Sequence, residues 1–257
     1  MLANGLKTRW AAGPVLGAWC AIPSAVTAEI AGRAGFDYLC IDLQHGLLDY
    51  QTALAMLQAA DLGGAVPLAR APANDAAAIG KLLDAGAEAV IVPLVNSAAE
   101  ARAAVAACRY PPAGIRSFGP TRAALREPGY FAAANGAVAA IAQLETQAAL
   151  DALDEILRVP GLDALYVGPN DLALSLGLPP GDNFHDPDFV AVLQRVAQRC
   201  RAAGIVPAIH SHAGLAARCL ALGYRMVTVS TDIAALRGAF AAHLDAVRGA
   251  AGPAAGG

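Results

Sequence analysis

The chain has 257 residues, of which 56% are hydrophobic and 15% are charged, and its formal net charge is −3. The low charged fraction argues against a disordered chain, and the slight acidity argues against a nucleic-acid partner. No apolar run reaches the ~18 residues of a membrane helix, so we expect no membrane partner. The first residues lack the apolar core of a secretory signal, so we expect no secretion signal there.

The cysteines and lysines restrict the chemistry further. The five cysteines are widely spaced and form no CxxC pair, which argues against a disulfide framework or a zinc knuckle and favours buried thiols in a reducing cytoplasm. Only two lysines are present, Lys7 near the N-terminus and Lys81 inside a predicted helix. Neither is well placed for a mechanism that needs a Schiff-base lysine.

Short apolar runs alternate with helical runs along the chain. The predicted strands are Val15–Cys20, Tyr38–Asp42, Ala65–Arg70, Ala89–Pro93, Val138–Leu144, Asp163–Val167, Ile205–Ile209 and Arg225–Val229. The predicted helices are Ser24–Ala34, Tyr50–Leu62, Asp75–Ala85, Ser97–Cys108, Gln147–Leu157, Pro187–Ala203, Ala213–Leu222 and Asp232–Val247.

Eight strand–helix pairs predict an α/β fold, a single-domain (β/α)8 TIM barrel over residues 1–248 with a flexible tail over 249–257. A doubly wound open sheet is the alternative, but the first strand is not followed by the Gly-rich loop that such sheets usually carry. The segment Tyr110–Asn135, with four prolines and three glycines, is predicted to be a long ordered loop.

In such a barrel, catalytic groups follow the C-terminal ends of the strands. The chemically active residues that end or follow predicted strands should therefore meet at one rim. They are Trp19, Asp42, His45, Arg70, Gln143, Glu145, Asn170, Asp171, His210 and His212.

Two carboxylates at neighbouring strand ends, Glu145 and Asp171, are the candidate metal ligands. Without cysteine or paired histidine ligands beside them they describe a hard oxygen site for Mg²⁺ or Mn²⁺. The alternative is that each caps the helix that follows it.

A base and a cation are also predicted at this rim. His45 follows Asp42 by three residues, and a carboxylate beside a histidine fixes its tautomer and raises its basicity; the alternative is an ordinary loop histidine. Arg70 suits bidentate binding of a carboxylate or an enolate, or else it pairs with Asp42 or Glu145. Trp19 is either a pocket wall or part of the core.

Two further features have no assigned role. His210 and His212 form an HxH motif that either ligates a metal, contacts substrate or is structural. The Arg116–Arg122 stretch either reaches over the mouth of the barrel or binds a partner subunit.

These residues, in this order, resemble the HpcH/HpaI aldolase family, the metal-dependent class II pyruvate aldolases. The resemblance spans about residues 12–245, and its DxxHG, QxET and VGPxDL motifs are specific in combination. The matching segments are Gly17–Trp19, Phe36–Gly46, Pro67–Arg70, Lys81–Ala87, Val92–Pro93, Gly114–Ser117, Gln143–Thr146 and Val167–Leu172.

The resemblance implies a role for each matching residue. It implies that Glu145 and Asp171 hold a divalent metal (Mg²⁺, Mn²⁺ or Co²⁺), that His45 is the base, and that Arg70 stabilises an enolate. Gln143 and Asn170 would contact the keto acid. It also implies a homohexamer in which Asp84, which lies away from the rim of its own barrel, comes from a neighbouring subunit and raises the basicity of His45.

The expected activity is therefore reversible cleavage of a 4-hydroxy-2-oxo acid to pyruvate, or hydroxypyruvate, and an aldehyde. A citramalyl- or malyl-CoA-type lyase is the alternative enzyme, and a non-catalytic ligand-binding barrel is the alternative from another class. Family members usually carry a small residue in place of Asn170 and an apolar segment in place of His210–His212, so the aldehyde itself is left open.

Overall fold

The computed structural model describes residues 5–250, with side chains described through residue 248. Eight parallel strands form a closed barrel in sequence order, and β8 pairs with β1, which confirms the predicted (β/α)8 fold. The strands are β1 (Val15–Cys20), β2 (Tyr38–Asp42), β3 (Val66–Arg70), β4 (Ala89–Val92), β5 (Ala139–Leu144), β6 (Ala164–Val167), β7 (Val206–His210) and β8 (Met226–Thr231).

Helices connect the strands and surround the barrel. They are α1 (Leu6–Ala12), α2 (Ala25–Arg33), α3 (Tyr50–Gly63), α4 (Ala76–Asp84), α5 (Ala98–Ala107), α6 (Thr121–Arg126), α7 (Tyr130–Ala137), α8 (Gln147–Asp151), α9 (Leu153–Leu157), α10 (Pro169–Ser175), α11 (Pro187–Ala202), α12 (Ala213–Leu222) and α13 (Asp232–Ala250). Among the described residues, no helix is long and apolar enough to cross a membrane.

Most predicted elements are confirmed to within one or two residues, and the differences are short helices. The predicted loop Tyr110–Asn135 contains α6 and most of α7. Each of these helices directly follows a helix-breaking residue, Pro120 or Gly129, so the sequence pattern did not indicate a helix there. The predicted helix Gln147–Leu157 is interrupted at Ala152. The helices α1 and α10 have only seven residues each and were not predicted.

Side chains fill the barrel interior. Tyr38 is fully buried there, and a Cβ atom on Gly17 would lie 2.3 Å from its ring, so only glycine fits at position 17. A second apolar layer lies between strands and helices. All five cysteines are buried, as predicted.

The last helix, α13, leaves most of its surface unpacked. Residues 233–248 are exposed, among them Leu236, Phe240, Leu244 and Val247. An apolar face of this kind usually packs against another protein surface. The predicted tail over 249–257 overlaps this helix at residues 249–250, and 251–257 lie outside the described residues.

Candidate active site

A cavity opens at the C-terminal ends of the strands and collects most of the predicted site residues. Its lining consists of Trp19, His45, Arg70, Gln143, Tyr166, Gly168, Pro169, Asn170, Asp171 and His210. Parallel strands aim their carboxyl ends at one rim, which is why residues far apart in the sequence meet here.

Arg70 and Asp42 form a buried ion pair across adjacent strands. Arg70 Nε donates to Asp42 Oδ1 at 2.8 Å and Nη2 donates to Oδ2 at 2.6 Å. Burial opposes the ionised form of Asp42, but the hydrogen bonds and charge of Arg70 outweigh it and hold the pKa of Asp42 below its usual value. Burial also opposes the charge on Arg70, yet Asp42 keeps the pKa of Arg70 above its ordinary value. Arg70 is therefore a permanent cation in the cavity wall.

Trp19 belongs to both the cavity wall and the core. Its indole Nε1 donates to Asp42 Oδ2 at 3.0 Å, and the Arg70 guanidinium lies 5.1 Å from the centre of its ring. The indole thus contacts both members of the ion pair: Asp42 through a hydrogen bond and Arg70 through a cation–π contact. The two predictions for Trp19 are both correct.

His45 lies at the entrance, and its ring is exposed. The expected contact between the Asp42 carboxylate and the His45 ring is wrong, because that carboxylate is engaged with Arg70 and Trp19. Asp42 Oδ1 reaches only the backbone of this loop, accepting from the N–H groups of Gln44 at 3.0 Å and His45 at 3.3 Å. Within the described part of the chain, the His45 ring makes no hydrogen bond.

Glu145 is buried at the end of β5 and is held by the backbone of the preceding crossover. Its Oε1 accepts from the N–H of Leu94 at 2.8 Å. Leu94 has a φ of 53°, a left-handed conformation that costs a non-glycine residue about 1 kcal/mol or more. Burial raises the pKa of Glu145, the Leu94 amide offsets part of this, and the charge of Asp171 adds to it.

The donor set around Glu145 fits a hard divalent cation. Gln143 Nε2 donates to Glu145 Oε2, while Gln143 Oε1 is buried without a hydrogen-bond partner. A Cβ atom on Gly168 would lie 2.9 Å from both Glu145 Oε2 and Gln143 Nε2, so glycine keeps the approach to this carboxylate open. No cluster of three or more His, Cys, Asp and Glu ligands occurs in residues 5–248, so water or substrate oxygens would complete the coordination.

The alternative reading of Glu145 and Asp171 as helix caps is wrong. The Thr146 side chain caps α8 by accepting from the N–H of Ala149, and α10 begins at Gly168 without a side-chain cap. Neither carboxylate therefore caps a helix. The two lie close enough together that the charge of Asp171 contributes to the raised pKa of Glu145.

The two histidines of the HxH motif separate. His212 caps α12, its Nδ1 accepting from the N–H of Gly214 at 3.2 Å. His210 lines the cavity, where its ring is nearly perpendicular to that of Trp19 and the ring centres lie 5.0 Å apart. The motif therefore does not form a ligand pair.

Asp84 and the Arg116–Arg122 stretch lie at the opposite end of the barrel. Asp84 is the last residue of α4, shortly before β4 begins at Ala89, and it accepts a hydrogen bond from Arg116 Nη2 at 2.7 Å. The guanidinium of Arg122 donates to the carbonyl of Ala85 at 2.9 Å. The option that this stretch reaches over the mouth of its own barrel is therefore wrong.

Tyr166 is the cavity residue that sequence reasoning missed. It lies inside β6, fully buried, and its ring centre is 5.5 Å from that of Trp19. The signal available was its position two residues before Gly168, on the inward-facing side of a strand that otherwise carries apolar side chains.

Comparisons with known proteins identify the family of the chain. The sequence model of the HpcH/HpaI aldolase/citrate lyase family matches residues 16–239. The chain is 42% identical over 239 residues to a hydroxypyruvate/pyruvate aldolase of Rhizorhabdus wittichii, covering 92% of this chain and 95% of the relative. It is 39% identical over 245 residues to a 4-hydroxy-2-oxo-heptane-1,7-dioate aldolase of Salmonella heidelberg, covering 93% and 92%.

A solved structure shows the same fold. It is a HpcH/HpaI aldolase/citrate lyase family protein from Burkholderia cenocepacia, which superposes with a TM-score of 0.88 at 34% identity and covers 96% of this chain and 100% of its own.

Proposed function

Because the chain belongs to the HpcH/HpaI aldolase/citrate lyase family and is an aldolase-type carbon–carbon lyase, we propose that it reversibly cleaves 4-hydroxy-2-oxo acids. The products would be an aldehyde and either pyruvate or hydroxypyruvate. One observation carries this proposal: the fixed cation Arg70 shares a cavity with the exposed His45 and with Asp171, and the neighbouring buried carboxylate of Glu145 forms no ion pair within residues 5–248.

The residues fit a divalent metal held by Glu145 and Asp171. Their carboxylate oxygens favour Mg²⁺, Mn²⁺ or Co²⁺ over softer metals. When bound, such an ion supplies Lewis-acid polarisation of the keto and carboxylate oxygens of the substrate.

The chain's own groups bind and orient the keto acid. Arg70 Nη1 makes no hydrogen bond within residues 5–248, so it is available to an oxygen of the substrate. The Asn170 side chain is fixed through its Oδ1, which accepts from the N–H of Gly181 at 3.0 Å and leaves its amide N–H groups for the ligand. Gln143 contributes the buried amide beside Glu145.

His45 is the proposed base for cleavage. It takes the proton from the 4-hydroxyl group, the C3–C4 electron pair moves into the C2–C3 bond, and the aldehyde departs. The positive charge of Arg70 stabilises the enolate that forms, because a guanidinium fixed by Asp42 does not need to reorganise as charge develops. Protonation at C3 then gives pyruvate.

A neighbouring subunit completes the proposed site. Within one chain, the His45 ring has no carboxylate partner among the described residues, and Asp84 lies at the far end of the barrel. Around Asp84 the surface is apolar and exposed, as expected for a docking face; its residues are Ile115, Phe118, Leu125 and Phe131.

The exposed face of α13 is a second surface for another copy, and two such surfaces on one chain are compatible with the homohexamer that we propose. We also propose a cytoplasmic location, in which the five free cysteines stay reduced.

The test of this function combines two assays. Exchange of the pyruvate methyl protons into deuterated water reports formation of the enolate, and cleavage of 4-hydroxy-2-oxo acids reports the complete reaction. Both should require a divalent metal. A ligand-binding barrel would bind pyruvate without exchanging its protons, and a CoA-ester lyase would require a CoA thioester.

A further inference from the structure

A chain of buried hydroxyl groups runs through the barrel interior to the site. The hydroxyl groups of Tyr38 and Thr228 lie 2.9 Å apart, and those of Thr228 and Tyr166 lie 2.6 Å apart. Tyr166 Oη then lies 3.3 Å from Nδ1 of His210. Tyr38, Thr228 and Tyr166 are fully buried, so their hydroxyl groups depend on protein partners for hydrogen bonds.

The direction of these hydrogen bonds follows from counting protons. The Tyr38 hydroxyl has no partner other than Thr228 among the described residues, and a buried hydroxyl proton must be donated to avoid a desolvation penalty. Tyr38 therefore donates to Thr228, Thr228 donates to Tyr166, and Tyr166 donates to His210 Nδ1. His210 accepts at Nδ1, so its proton is on Nε2.

The Nε2 atom of His210 is available to a ligand. In residues 5–248 it makes no hydrogen bond, and it is not among the buried polar atoms that lack a partner. Burial, followed by the charge of Arg70, lowers the pKa of His210 to about 4, so the ring is neutral at pH 7. A neutral ring with an occupied Nδ1 offers one N–H donor to the cavity.

The space beside His210 has both polar and apolar walls. A second cavity shares His210, Pro169 and Asn170 with the first, so the two adjoin at the histidine. Its other lining residues include the polar Asp182, Ser211, His212 and Thr231 and the apolar Phe184, Phe189 and Leu215. The hydroxyl and imidazole groups can bind a hydroxyl group of the aldehyde, whereas the carboxylate of Asp182 disfavours an anionic aldehyde.

We propose that His210 selects the acceptor aldehyde by donating a hydrogen bond from Nε2 to a hydroxyl oxygen of that aldehyde, with Tyr38, Thr228 and Tyr166 as positioning residues. The preferred acceptors are thus uncharged hydroxyaldehydes. This inference rests on the proposed aldolase function and specifies the substrate class of the same site.

A pair of aldehydes of nearly equal size tests the selection. With pyruvate as donor, glycolaldehyde and propanal differ by a hydroxyl in place of a methyl group. We expect kcat/KM to favour glycolaldehyde by about fivefold to tenfold in the wild type, as one neutral hydrogen bond supplies. His210→Leu should bring the ratio close to one, and His210→Gln, which keeps an N–H donor, should restore part of it.

A control variant and a second assay distinguish failure of this proposal from failure of the proposed aldolase function. His185→Leu removes an exposed histidine of the same chain and should keep the wild-type ratio. Pyruvate proton exchange needs no aldehyde, so its absence in the wild type would overturn the aldolase function. Exchange together with an unchanged aldehyde ratio in His210→Leu would overturn the role of His210 alone.

The positioning residues have their own readout. In protein with ¹⁵N-labelled histidine rings, NMR should show the His210 proton on Nε2, and the His210→Gln spectrum assigns the signals. Tyr166→Phe and Thr228→Val should shift the proton population toward Nδ1 and raise KM for glycolaldehyde more than for propanal. A wild-type His210 protonated on Nδ1 would overturn the proposed donor.

Discussion

Arg70 binds the Asp42 carboxylate side-on, with Nε 2.8 Å from Oδ1 and Nη2 2.6 Å from Oδ2. This geometry leaves Nη1 of Arg70 without a protein partner among the described residues. Asp42 thereby fixes the orientation of the guanidinium that faces the substrate. The carboxylate acts on Arg70 rather than on the His45 ring, which changes the role expected for it.

Asp42→Asn should therefore weaken the enzyme through Arg70. Loss of one partner leaves a buried charge uncompensated, which typically costs about 3–5 kcal/mol of the free energy of unfolding. Urea denaturation measures that loss. If the carboxylate served only His45, the variant would retain pyruvate proton exchange at the wild-type rate, and this result would contradict the assignment.

Glu145→Gln and Asp171→Asn should each abolish the response to metal. In the wild type, EDTA should remove activity and Mg²⁺, Mn²⁺ or Co²⁺ should restore it. A metal present at 100 times its Kd stabilises the folded state by about 2.7 kcal/mol, visible as a rise in Tm. Full activity after exhaustive EDTA treatment would refute the metal site, and a Tm rise in both variants would place the metal elsewhere.

Mixed oligomers test whether Asp84 acts on a neighbouring subunit. His45→Ala should reduce cleavage by on the order of 10²–10⁴-fold, the usual worth of a positioned base, and Asp84→Asn should also lower it. Co-refolding the two variants creates sites that combine an intact His45 with an intact Asp84 from the other chain. Activity should reappear in the mixture. Mixtures as inactive as their parents would show that Asp84 does not act across subunits.

His210 should make stability depend on pH. Its folded pKa is lowered from 6.5 to about 4, mainly by burial and then by Arg70, while Asp42 opposes the shift. Between these values the unfolded chain binds a proton that the folded chain does not, so the free energy of unfolding falls as pH is lowered from about 6.5 to 4. His210→Leu should flatten this slope by a few kcal/mol or less, and His185→Leu should not.

The sequence predicts the barrel well because buried parallel strands and their helices have distinct periodicities. It also places Arg70, His45, Gln143 and Asp171 at one mouth, since residues after parallel strands must meet there. For Asp42 the sequence leaves two partners open, His45 in the following loop and Arg70 on the next strand. Only the register of β2 and β3, which places Asp42 beside Arg70, decides between them.

The sequence leaves the role of His210 open between metal ligation, substrate contact and structure, and it does not point to the substrate-binding role that we propose. Its hydroxyl chain joins β2, β6 and β8 across the barrel interior, so no local pattern reveals it. Similarly, the short helices α6 and α7 begin directly after Pro120 and Gly129, residues that usually interrupt helices, and their tertiary packing outweighs the local signal.

The measurement that tests the account most directly is pyruvate methyl-proton exchange by NMR in Arg70→Ala, beside aldol cleavage by the same protein. If Arg70 stabilises the enolate, the rates of exchange and cleavage should fall together in Arg70→Ala. Arg70→Lys should not restore them fully, because an ammonium group lacks the planar, two-pronged N–H donors of a guanidinium. His45→Ala should instead lose more cleavage than exchange. Exchange at the wild-type rate in Arg70→Ala would contradict the assignment of Arg70 as the enolate-stabilising cation.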